Sequence, residues 1–248
     1  MLTPSERERY DRQIMIGEIG EEGQKKLKRS RVVIAGGGGL GSPIALYLAA
    51  AGIGTIRMID HDRVALSNLN RQILHGEEDI GKRKVDSASS KLKKLNSAVT
   101  IEAVAETITE SNVSGLVEGC DVIVDAMDNM PTRYLLNRCA VERKTPFFHG
   151  AVYGFEGRAM TILPGETACL RCLYRGPVPQ EKFPVVGVTP AVIGSIQATE
   201  VIKYLVGAGN LLTNRLLLYD GLKMVFDEFT VNRNPDCDHC GSSPLPPF

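Results

Sequence analysis

Between two short apolar runs stands a glycine loop that fixes the local architecture. Arg31–Ala35 reads as a buried strand, Ser42–Ala51 as a helix of small residues and Thr55–Asp60 as a second strand, with Gly36-Gly37-Gly38-Gly39-Leu40-Gly41 between the first two. A strand, a helix and a second strand in that order favour a parallel pair with a right-handed crossover. Gly36, Gly38 and Gly41 satisfy G-x-G-x-x-G. The first glycine permits the tight turn and the second lets a phosphate approach the backbone. The helix N-terminus at Ser42 offers free N–H groups and a positive dipole end. Asp60 stands 24 residues after Gly36 at the end of the second strand, where a carboxylate accepts hydrogen bonds from ribose hydroxyls. A merely glycine-rich turn is the plain alternative, and the full β-α-β context disfavours it. Taken alone, the loop fits NAD, FAD or ATP equally.

The alternation continues downstream. Helices are expected near 81–96, 112–118 and 131–142, and strands near Thr100–Ala105, Asp121–Asp125 and Pro146–Phe148. Residues 5–29 are polar, with helical pieces at Ser5–Met15 and Glu21–Arg29. Beyond residue 150 the pattern changes: a strand at Arg158–Leu163, a proline-containing loop expected to be mobile over Tyr174–Pro190, a helix at Ala191–Val206 and strands at Arg215–Tyr219 and Met224–Val231. The expected fold is α/β, a Rossmann-like and mostly parallel sheet flanked by helices, extended by C-terminal antiparallel strands and a zinc knuckle. No Gly/Ser linker and no internal repeat divides the chain. One domain over 1–248 is expected, with a helical arm over 1–30, a nucleotide-binding half over 31–150 and a second half over 151–248.

That second half carries two Cys-x-x-Cys pairs, Cys169/Cys172 and Cys237/Cys240, separated by 64 residues. Each pair places two sulfurs on one tight turn, and two such turns complete a tetrahedron around Zn²⁺. Four ordinary thiols or a redox pair are the alternatives. With all four positions thiolate and none open to water, the metal's role would be structural. The expected compartment is the cytoplasm, where thiols stay reduced. The charged N-terminus lacks a signal-peptide apolar region, and no run reaches the ~18–20 apolar residues of a membrane span. Lys+Arg 29 against Asp+Glu 29 gives zero net charge, which argues against a general nucleic-acid or anionic-membrane binder.

The residues after Asp60 separate the nucleotides. Ser67-Asn68-Leu69-Asn70-Arg71-Gln72 is a polar cluster just past a strand end, where ligands of open α/β sheets bind. Lys84 falls in the first turn of the next helix. A diphosphate is already met by the loop and helix dipole, whereas the extra cations Arg71 and Lys84 suit a triphosphate whose leaving pyrophosphate gathers charge. Lys82, Lys91, Lys93 and Lys94 share that helix region, and most of these lysines must form a solvated face. Asp128 and Asn129 come after the Asp121–Asp125 strand and precede Pro131. There a carboxylate can hold Mg²⁺ against ATP phosphates, and either residue can cap a helix; one can cap while the other binds metal.

Together these residues resemble a known family. Arg9-Tyr10-Asp11-Arg12-Gln13, the loop at 36–42, Asp60-x-Asp62 with Ser67–Gln72, Gly81-Lys-x-Lys84-Val85, Asp125-x-x-Asp128-Asn129 and the two Cys pairs occur in order from about residue 5 to 241. This set resembles the MoeB/ThiF/HesA family, relatives of the ubiquitin-activating enzymes, and lies nearest its MoeB-like branch. The resemblance implies an adenylyltransferase acting on the C-terminal carboxylate of a small β-grasp sulfur-carrier protein with a Gly-Gly end, using ATP and Mg²⁺ and releasing pyrophosphate. It implies a homodimer with a structural Zn²⁺, and makes residues 151–248 the carrier-binding half. By the same resemblance Gly39 contacts phosphates, Asp60 the ribose, Asn68, Arg71 and Lys84 the phosphates, and Asp128 the Mg²⁺. Arg12 resembles an arginine that reaches the neighbouring subunit's nucleotide. The remaining nucleotide contacts are expected from Gly36, Gly38, Gly41, Asn70, Gln72 and Asn129.

The chemistry suits this inventory. A peptide C-terminal carboxylate has a pKa of about 3.5 and is already ionised, so no general base is required. His61, His75, His149 and His239 are scattered, and only His149, at an expected strand end, is a candidate to line the cleft. Many members of the family carry a further cysteine four residues before the position of Gly187; here that position is Phe183. Cys120 and Cys139 read as core thiols, so the reaction is expected to stop at the acyl-adenylate. The alternatives are an NAD(P)-dependent oxidoreductase, which gives no role to Arg71, Lys84 or Asp128, and adenylation of a tRNA-nucleoside or ribosomal-peptide carboxylate. A non-catalytic scaffold leaves the whole set of nucleotide contacts unused.

Overall fold

The computed structural model describes residues 1–174 and 183–242. β1 (Arg31–Ala35) occupies the middle of the sheet, and its Val32–Ala35 segment is buried, as a parallel strand covered on both faces requires. β2 (Thr55–Ile59) and β3 (Thr100–Val104) extend the sheet on one side, and β4 (Val122–Asp125) and β5 (Phe147–Tyr153) on the other, all parallel. β6 (Glu156–Ile162), β7 (Arg215–Asp220) and β8 (Val225–Thr230) then join antiparallel, giving the order β3-β2-β1-β4-β5-β6-β7-β8. The strand order reverses between β1 and β4, which opens a crevice beyond their C-terminal ends.

Helices cover both faces. On one, α4 (Gly41–Ala51), α5 (Lys84–Leu95) and α9 (Val188–Val206) bury Ile44, Leu48, Leu92, Ile193 and Val201 against Val32, Ile34 and Phe148. On the other, α6 (Val113–Leu116) and α7 (Met130–Arg143) pack with Val33, Ile123, Phe147 and Met160 beside the cysteines, of which Cys169 caps the short α8 (Leu170–Leu173) and Cys172 lies within it. At the N-terminus α1 (Pro4–Arg9), α2 (Asp11–Ile14) and α3 (Gly20–Arg29) form the arm. No helix among the described residues is long and apolar enough to cross a membrane.

Several boundaries differ from the sequence reading, each for a local reason. The helix expected over Ser5–Met15 is two pieces that break at Tyr10, whose φ of −101° and ψ of 12° leave the helical region. The helix expected from Gly81 starts at Lys84, because Gly81 has φ +87°. β5 runs five residues past Phe148, to Tyr153, since antiparallel pairing with β6 across the Gly154–Phe155 turn stabilises it. α9 begins at Val188 and takes Pro190 into its first turn, where a missing N–H costs nothing. Residues 175–182, in the middle of the loop expected to be mobile, lie outside the described residues.

Candidate active site

The crevice at the reversal point is a cavity of about 860 Å³. Its floor is the glycine loop. Gly36 has φ +104°, and a Cβ there would lie 2.5 Å from the Ala126 carbonyl oxygen, so the turn demands glycine. A Cβ on Gly41 would meet the Gly36 carbonyl oxygen at 2.0 Å; that glycine supports the helix–strand contact and does not line the cavity. The N–H groups of Gly39, Leu40 and Gly41 have no hydrogen-bond partner among the described residues, as expected at the start of α4. Asp60 braces the loop: Oδ2 accepts from the Gly37 N–H at 2.7 Å and Oδ1 from the Asp62 N–H at 2.8 Å. From below, His75 Nε2 lies 3.3 Å from the Gly37 carbonyl oxygen and Nδ1 2.9 Å from Ser87 Oγ. A carbonyl only accepts, so Nε2 carries the proton and Ser87 donates. Burial lowers the His75 pKa, which keeps that ring neutral.

Cations line one side. Lys84 is buried on the first turn of α5, with Nζ 2.8 Å from Asp62 Oδ2 and 3.9 Å from Asp60 Oδ2. Arg71 donates to the Ser67 carbonyl at 2.9 Å and to Asn70 Oδ1 at 3.0 Å. Gln72 is buried at the cavity wall with Oε1 unpartnered. At the end of β4, Asn129 caps α7 by accepting from the Thr132 N–H at 3.0 Å, which leaves the exposed Asp128 carboxylate facing the cavity. Of the two residues, the helix cap expected at this dipeptide is Asn129.

The cavity thus gathers Gly36, Gly38, Gly39, Asp60, Asn70, Arg71, Gln72, Lys84, Asp128 and Asn129. Two other expected contacts are placed elsewhere. Asn68 turns its Oδ1 onto the Ala65 N–H at 3.0 Å, closing a short 3-10 turn, and does not line the cavity. Arg12 is exposed on α2 and outside its own chain's cavity.

The four cysteines converge on the far side of α7. Their sulfurs all lie within 4.8 Å of one another, with Cys169–Cys172, Cys169–Cys237 and Cys172–Cys240 at 4.0, 3.6 and 3.5 Å. A tetrahedron with bonds of about 2.3 Å has sulfur–sulfur edges of about 3.8 Å, so the cluster fits Zn²⁺. Arg171 pairs with Asp238 through two nitrogens and stacks 4.9 Å from the Tyr134 ring centroid, joining the two turns to α7.

Residues 10–239 match the ThiF family. The chain belongs to the ThiF family. A SAMP-activating enzyme E1 of Haloferax volcanii is 45% identical over 246 residues, covering 97% of this chain and 91% of its own. A sulfur carrier protein adenylyltransferase of Thermus thermophilus is 44% identical over 253 residues, covering 98% and 93%. The adenylyltransferase and sulfurtransferase MOCS3 of Culex quinquefasciatus is 41% identical, and this chain spans 57% of it. Among solved structures, E. coli MccB with ATP superposes with a TM-score of 0.85 at 25% identity, over 94% of this chain and 74% of that one.

This ThiF-family cavity also holds residues that sequence reasoning missed. Arg133, on α7, donates to the Met127 carbonyl oxygen through Nε at 3.2 Å and Nη2, and its Nε lies 3.8 Å from Asp125 Oδ2. Arg158 lines the cavity from β6. Neither stands in a local motif; both are aimed by the strands and helix that carry them. His149 is fully buried behind the wall, not on it, with Nδ1 2.7 Å from Asp125 Oδ2. Burial holds its pKa below the ordinary value despite that carboxylate. Cys139 is buried and Cys120 partly so, and burial raises both thiols, Cys120 to about 11.

Proposed function

We propose that this chain adenylates the C-terminal carboxylate of a small β-grasp, ubiquitin-like sulfur-carrier protein ending in Gly-Gly, using ATP and releasing pyrophosphate. One observation carries the reading: the unengaged amides of the glycine loop, Arg71, Lys84 and the exposed carboxylate of Asp128 surround a single cavity. The relatives of 44–45% identity, named SAMP-activating enzyme E1 and sulfur carrier protein adenylyltransferase, support it.

The loop amides and the α4 N-terminus receive phosphate oxygens, and Asp60 receives the ribose. The ionised carboxylate attacks the α-phosphorus and the bond to the bridging oxygen breaks, with no proton to move. Lys84 and Arg71 stabilise the departing pyrophosphate. Asp128 would hold Mg²⁺, which would supply positive charge to neutralise the phosphates. Because the nucleophile is already ionised, the scheme needs no general base; among the described residues His61 is the only histidine that lines the cavity, and it is exposed.

A macromolecular substrate is supported by the surface beside the cavity. The β5–β6 and β7–β8 turns lie at one edge, linked by the Gly221 N–H to the Phe155 carbonyl at 2.9 Å, and expose Tyr153, Phe155, Leu222, Met224 and Phe226. Such an apolar patch suits a folded partner. We also assign the exposed Arg12 to the nucleotide site of a second copy in a homodimer, and place the protein in a reducing, cytoplasmic setting where its cysteines hold Zn²⁺. ATP–pyrophosphate exchange with Gly-Gly-ended β-grasp proteins tests the reading. Exchange should require the carrier and fall at least about a hundredfold in Asp128→Ala; exchange that ignores the carrier, or survives this substitution, contradicts it.

A further inference from the structure

The described cations of the cavity wall differ in what they already hold. Lys84 is paired with Asp62, Arg71 with Ser67 and Asn70, and Arg133 with Met127 near Asp125. The Arg158 side chain has no hydrogen bond or ion pair among the described residues, although it is half-buried and lines the cavity. A partly desolvated guanidinium with no counter-ion is unfavourable until an anion arrives.

Its position is set by the β6 alternation. Gly157 and Ala159 face α9, where a Cβ on Gly157 would lie 2.2 Å from Ile193 Cγ1. Arg158 and Met160 therefore face the opposite side, that of α7 and the cysteine knuckle. Directly across the ladder from Arg158 is Ala151, whose single methyl leaves room beside the guanidinium, and across from Met160 is His149. His149 supplies no negative charge: it is neutral, it shares the Asp125 carboxylate with Arg133, and its Nε2 has no partner. Arg158 is also the third residue of β6 after the β5–β6 turn, which carries the exposed apolar residues beside the cavity.

We propose that Arg158 binds the terminal carboxylate of the incoming polypeptide and sets the preference for a free-acid end. This rests on the function proposed above. One carboxylate oxygen is held by the guanidinium while the other attacks the α-phosphorus; the new C–O–P linkage forms as the bond to pyrophosphate breaks. The carboxylate charge is gone from the product, so the contact is strongest with substrate. Its loss raises KM for the carrier and leaves kcat unchanged or slightly higher.

The test compares a Gly-Gly-ended β-grasp protein from the same organism as the free acid and as its semisynthetic C-terminal amide. Binding to the full-length enzyme is measured by calorimetry with an ATP analogue whose α,β-bridge is methylene, and turnover of the acid by pyrophosphate exchange. Wild type should prefer acid to amide by about ten- to a hundredfold. Arg158→Gln should abolish that preference and raise the carrier KM by a similar factor, with ATP affinity and melting temperature unchanged. Arg158→Lys should restore part of the preference, which a packing role would not. An unchanged acid-to-amide ratio in Arg158→Gln overturns the assignment. So does a loss that falls on ATP affinity alone, which would make Arg158 a nucleotide contact. Wild type that shows no carrier-dependent exchange at all would overturn the proposed function, and this assignment with it.

Discussion

Nδ2 of Asn137 lies 2.7 Å from Nδ1 of His239, and both residues are buried. An amide nitrogen only donates, so Nδ1 bears a lone pair and the proton of the neutral ring sits on Nε2. Burial pulls the His239 pKa down to about 4, consistent with that state. The Asn137 oxygen meanwhile accepts from the Leu170 N–H at 2.9 Å. One side chain of α7 thus clasps the turns of both cysteine pairs, and one helical turn earlier the same helix presents Arg133 to the cavity.

That arrangement makes the knuckle a fold element first. Cys172→Ser should lower the melting temperature by more than about 10 °C, because a structural zinc contributes on the order of 10 kcal/mol of binding free energy to folding. Metal content should fall in parallel, and residual turnover per folded molecule should change little. Normal melting with abolished turnover would show that the cluster acts in the chemistry.

The glycine loop allows a sharper contrast. Gly41→Ala should abolish ATP binding, since its methyl would sit 2.0 Å from the Gly36 carbonyl oxygen and force the loop off the helix. Gly115→Ala, with open space around its Cβ and no positive φ, should leave ATP affinity untouched. Calorimetry with ATP on both variants checks this, and equal affinity in the two would contradict the loop's role.

Acid should weaken the fold. His75 and His149 are both held below the ordinary imidazole value, each chiefly by burial. The folded state therefore binds fewer protons than the unfolded chain below a pH of about 6.5, so this contribution is whole above that value and is lost as pH falls beneath it. The urea midpoint should be lower near pH 5.5 than near pH 7.5, and His149→Gln should flatten the difference. A midpoint that rises on acidification would be the wrong sign.

No thiol-linked intermediate with the carrier is expected. Phe183 stands where a transfer cysteine would be, stacked on Tyr153 with ring centroids 6.5 Å apart, and burial keeps Cys120 and Cys139 protonated. A non-reducing gel after turnover should show free enzyme and free carrier; a conjugate released by reducing agent would contradict this.

The nucleotide end was legible because its signals are local. Gly36, Gly38, Asp60 and Lys84 take their positions from a turn, a strand end and a helix start within 49 residues of chain. The cysteines were legible by spacing, although only the fold brings residue 169 beside residue 237. The placement of Asn68 outside the cavity was not legible, because a polar side chain in a tight turn also has its own backbone to satisfy. Arg133 and Arg158 were illegible because their direction depends on partners distant in sequence. For Arg158 one faint signal existed: a charged residue between the small Gly157 and Ala159 reads as the face that α9 does not cover.

The most direct measurement is intact-mass spectrometry of the carrier after single turnover with enzyme, ATP and Mg²⁺, with pyrophosphatase absent. The expected product is a carrier heavier by one adenylyl group at its C-terminus, in an amount equal to the pyrophosphate released. A carrier of unchanged mass with ATP intact, or one heavier by a phosphate alone, would contradict it.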